Sequence, residues 1–123
     1  MSDKLLAHIS VDIYDSGIPE IKTEKISRET EKCVYVWRKV RPRREIRSLT
    51  MERAVQRNTI GRVYAPALGI RRAHVIVEGD VKTSTEYIRA LTEMLAQLQA
   101  ELRQAWEHLD ALDEELNAGN IRP

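Results

Sequence analysis

Residues 83–119 read TSTEYIRALTEMLAQLQAELRQAWEHLDALDEELNAG, and this stretch decides the fold. Apolar residues recur at Ile88, Leu91, Leu95, Leu98, Leu102, Ala105, Leu109, Leu112 and Leu116, in alternating steps of three and four without an error. That is the heptad pattern of a helix with Ile or Leu at every a position and Leu or Ala at d. Thr83-Ser84-Thr85-Glu86 reads as a capping box, and no Gly or Pro interrupts the run before Gly119, which is placed to stop it. The predicted helix is about 34 residues, or roughly 50 Å, long. A sheet of ordinary strands spans roughly 17–30 Å and leaves its second half uncovered. The nine seam residues are therefore expected to join copies of the chain in a homo-oligomeric coiled coil. Tyr87 and Met94 widen the stripe near its start and are expected to touch the chain's own sheet. Leu at both seam positions leaves the number of subunits open.

Outward from the helix, residues 1–80 read as a small antiparallel sheet domain, and 81–119 as the oligomerisation helix. Ile9, Val11 and Ile13 alternate with His8, Ser10, Asp12 and Tyr14, which is a half-buried strand. Residues 20–28, with Ile21 and Ile26 out of phase, predict a bulged or irregular strand. Val34, Val36 and Val40 alternate with Cys33, Tyr35 and Trp37, so both faces are apolar and a central or doubly covered strand is expected. Arg41-Pro42-Arg43-Arg44 turns the chain, and Glu45–Leu49 returns as a short partner strand. Met51, Ala54 and Val55 recur at helical spacing after Thr50, which predicts a short helix over 51–58. A strand is expected over Arg62–Ala65, broken by Pro66, and residues 70–78 alternate once more. The fold class is α+β: antiparallel sheet, short helix, then one long helix.

At 123 residues the chain fits one domain. Leu, Ile and Val make up about a quarter of it, above the level at which disorder becomes the default. A net charge of +1 hides an asymmetry: residues 1–80 carry a balance of +5 and residues 81–123 one of −4. No apolar run approaches a membrane span, and the single Cys33 forms no internal disulfide and fits a reducing compartment, so a cytoplasmic protein is expected. The three histidines show no ligand spacing, and neither metal nor cofactor is expected.

The densest charge lies in 37–47, where Arg38, Lys39, Arg41, Arg43, Arg44 and Arg47 face one acid, Glu45. Guanidinium forks match phosphate oxygens, and neighbouring Tyr35 and Trp37 are candidate stacking surfaces for a base. Arg71 and Arg72, with His74, form a second basic point, which an oligomer interface could bring to the first. The same arginines could instead keep a hairpin soluble, or bind nucleic acid. Serines lack a nucleophile-elbow context, Cys33 sits within a strand, and no Gly-rich phosphate loop occurs, so catalysis is not expected.

The stretch Ile26–Val40, containing Glu29-Thr30-Glu31-Lys32, with the Arg-rich return to Ser48, resembles small bacteriophage-encoded proteins built as a strand, a basic hairpin, a short helix and a long C-terminal helix. In outline it is similar to the Thoeris anti-defence sponges. That resemblance implies a non-enzymatic symmetric oligomer that sequesters a nucleotide defence signal in a bacterial host. Residues 59–80 depart from the pattern, and no contact residue is carried over. The alternatives are nucleic-acid binding through the hairpin, or docking on a host or phage protein.

Overall fold

The computed structural model describes residues 4–41 and 47–120. Six strands form one curled antiparallel sheet: β1 (Lys4–Asp12), β2 (Glu20–Glu29), β3 (Cys33–Val40), β4 (Leu49–Gln56), β5 (Tyr64–Ala67) and β6 (Ile70–Glu78), in the order β4-β3-β2-β1-β6-β5. A single long helix, α1 (Thr85–Glu115), follows, and Leu116–Asn120 widen into a π turn.

Two sets of alternating side chains build two cores. One face of β1 and β6 presents Ala7, Ile9, Val11, Ala73, Val75 and Val77 to Tyr87, Ala90, Met94 and Leu98 of α1. The other face presents Leu6, which packs with Val34 and Val36 of β3 and with Ile26, Val55 and Ile76 around them. The second core forms because β2 changes partner along its length. Glu20–Lys25 pair with β1, whereas Ile26–Glu29 pair with β3, and the register shifts between Ile26 and Arg28. The out-of-phase isoleucines predict that irregularity. It lets β3 and β4 curl over the Leu6 end of β1 while the Ser10 end stays open.

Residues 51–58 are not a helix. Leu49–Gln56 is a strand, paired residue for residue with β3 from Val40↔Leu49 to Cys33↔Gln56. Met51, Ala54 and Val55 fit either period, and the open edge of β3 settles the choice: tertiary pairing outweighs local propensity. The return strand thus begins at Leu49, and β3 lies one in from the edge. Its Val34 face is fully buried, while Trp37 on the other face is 46% exposed. Pro66 does not break β5 but sits inside it, as an edge strand permits.

The cap of α1 is Ser84, whose hydroxyl accepts from the Tyr87 amide at 3.2 Å; the Thr83 hydroxyl donates to the Asp80 carbonyl instead. From there α1 runs back along β6. At its midpoint Glu101 accepts from the Gly69 amide (2.7 Å) and from Arg71 (3.1 Å), whose Nε also donates to Gln97. Gly69 has φ +76°, and a Cβ there would strike the Tyr14 ring, so the turn beneath Glu101 requires glycine. Beyond Glu101 every described residue of α1 is exposed. Ile88, Leu95, Leu102, Trp106, Leu109, Leu112 and Leu116 are 44–66% exposed, whereas Leu91 is half-buried and Leu98 buried against the sheet. Among the described residues, no helix is long and apolar enough to cross a membrane.

Candidate ligand-binding cleft

Alternation along β1 and β6 sends His8, Ser10, Arg72 and His74 to the face away from α1. Register then pairs them: His8 lies opposite His74, and Ser10 opposite Arg72. The two imidazole centroids are 5.7 Å apart. On β2, Lys22 lies opposite His8, and Glu24 opposite Leu6, on this same face.

Where β2 and β3 part company, Arg38 spans the gap. Its Nε donates to Glu24 Oε2 at 2.7 Å and its Nη2 to Oε1 at 2.9 Å, a bidentate pair. His8 Nε2 meets the same Oε1. The Glu24 side chain is only 14% exposed, so it depends on these partners. Arg38 above all, with His8, holds the Glu24 carboxyl below its usual range against the burial that would raise it. Burial first, then the charges of His8 and Arg38, pushes His74 below its ordinary value. The His74 Nε2 lies 2.9 Å from the Thr59 hydroxyl.

The fork encloses a cleft of about 840 Å³. On this face the alternation places the cations Lys22, Arg38 and Arg72 against the acids Glu20 and Glu24. Glu24 is neutralised by Arg38, and Glu20 is 3.7 Å from Lys22. The cleft is therefore a net cationic space. Tyr64, about half exposed and paired opposite Arg72, lines it as well. A volume of this order suits a small organic anion, and a site of these groups can bind phosphate oxygens and stack a planar ring.

Of the residues singled out in the sequence, Arg38 and Arg72 come together here within one chain, while Trp37 lies on the opposite face of β3 with Tyr35. Arg71 goes elsewhere: it is buried beneath α1, bonded to Gln97, Glu101 and the Ile70 carbonyl. Tyr35 points to the opposite face from Arg38, with Arg28 3.9 Å above its ring. Arg41 and Arg47 are exposed at the two ends of the hairpin, and Arg43 and Arg44 lie outside the described residues.

Sequence reading missed His8, Lys22, Glu24 and Tyr64. The one available signal was a polar residue in phase with buried Leu6 on β1 and with Ile76 on β6. Among the described residues, no group of three His, Cys, Asp or Glu gathers as metal ligands. Compared with protein-family models, curated proteins and solved structures, the chain matches none.

Proposed function

We propose that the protein is a non-enzymatic binder of a phosphate-bearing small molecule of the nucleotide class, acting as a symmetric oligomer in the cytoplasm of a bacterial host. The observation that carries the reading is the cleft, with the cations Lys22, Arg38 and Arg72, two carboxylates already engaged by cations, and the Tyr64 ring. Binding is favoured over catalysis because Glu24, the buried carboxylate, has both oxygens bonded to Arg38 or His8 and is held as a structural anion. Assembly through α1 is supported by its seven large apolar side chains in water. The outline shared with phage anti-defence sponges supports sequestration of a defence signal as the biological use.

Isothermal titration with cyclic and linear nucleotides tests this. Arg72→Ala with Lys22→Ala should weaken the best nucleotide at least tenfold, about 1.4 kcal/mol, and scarcely move the melting temperature. Unchanged affinity in that variant, or no nucleotide bound by the wild type, overturns the reading. Affinity for short DNA that falls steeply with salt would favour the hairpin arginines instead.

A further inference from the structure

Packing on the sheet divides the heptad. Leu91 and Leu98, both d positions, turn toward the chain's own core, while Ile88, Leu95, Leu102, Leu109 and Leu116, the a positions, stay exposed along the whole of α1. The seam left for a partner is thus the a stripe, flanked by Thr92, Gln99, Trp106 and Asp113. Leu102 is its middle member, next to Glu101, where contact with the sheet ends. From Leu102 the helix projects roughly 20 Å past its own sheet.

Charge chooses the direction of pairing. Residues 104–118 contain Glu107, Asp110, Asp113, Glu114 and Glu115 and no Lys or Arg. Residues 82–103 balance Lys82, Arg89 and Arg103 against Glu86, Glu93 and Glu101, beside a sheet domain with a balance of +5. A parallel pair would set five carboxylates of one chain alongside five of the other. An antiparallel pair instead sets them along the neutral sheet-backed half of the partner helix and close to the +5 of the partner's sheet domain.

Resting on the self-association proposed above, we infer that two copies of α1 pair antiparallel about a two-fold axis near Leu102. The projecting acidic half of each chain then lies along the exposed a stripe of its partner's sheet-backed half. Counting from Leu102, Ile88 and Leu116 are equally distant, as are Leu95 and Leu109, so each level of the pair sets an apolar residue near an apolar residue. The contact is self-complementary and closes, as a two-fold interface must.

The test is a distance between spin labels on the full chain, in a Cys33→Ser background without nucleotide, so that it does not depend on the cleft. Glu114→Cys places the label on an exposed position outside the seam. An antiparallel pair puts two such labels about 36 Å or more apart along the axis, whereas a parallel pair keeps them within about 20 Å, the width of two helices. Gln104→Cys, near the axis, should give a short distance. A long Glu114 distance with a short Gln104 distance supports the arrangement. Short distances at both sites, or a monomer by sedimentation at tens of micromolar, overturn it. Neither result touches the nucleotide titration, so failure of the pairing and failure of the ligand reading are told apart.

Discussion

Glu24 and His74 tie the cleft to pH. Both groups titrate below their ordinary values of 4.5 and 6.5, so on acidification the unfolded chain takes up protons before the folded one does. The stability each contributes is complete above its unfolded value and is lost as pH falls through the folded one. Thermal melting should therefore decline in two stages, first below about pH 6.5 through His74 and then below about pH 4.5 through Glu24. His74→Gln should flatten the first stage and Glu24→Gln the second, read as melting temperature against pH. A first stage that survives His74→Gln would assign it to another group. None of this was visible in the chain, because His8 and His74 become neighbours only through the β1–β6 register. Arg38 and Arg72 were legible because charge density marks them locally. Arg71 was misassigned for the same reason: a buried arginine and an exposed one are identical until the strand phase against a helix is known.

At the scale of elements, long patterns were readable and short ones were not. α1 follows from four uninterrupted heptads, and the alternation in β1, β3 and β6 survives as strands with the expected faces. The segment 49–56 is too short for its period to choose between helix and strand, and the free edge of β3 chose. Attachment of α1 to the sheet rests at its midpoint on Arg71, whose side chain is 8% exposed, and on its bonds to Gln97 and Glu101. Removing one member of such a pair strands the other. Arg71→Met should cost about 3 kcal/mol in urea unfolding, and Arg71→Met with Glu101→Gln should recover more than half of that. A loss below about 1 kcal/mol would make the pair a surface contact of the ordinary kind.

Across the whole molecule, the cleft and the exposed a stripe lie on opposite sides of the β1–β6 layer, so the proposed binding and the proposed assembly are expected to be independent events. On the pairing proposed above, an oligomer is expected to multiply sites without creating them. The variant that tests this must spare the fold. Leu98→Glu does not, because Leu98 is 3% exposed and belongs to the core under α1; a carboxylate there would be buried without a partner. Leu102 and Leu109 lie past the sheet and are about half exposed, so Leu102→Glu with Leu109→Glu should leave the chain folded while placing like charges in the seam. Sedimentation should then show monomer, far-ultraviolet circular dichroism should keep its strand and helix signal, and nucleotide affinity per chain should stay within about twofold, less than 0.5 kcal/mol. A folded monomer that has lost the nucleotide would show that the second chain completes the cleft, and the ligand site would have to be sought at the interface instead.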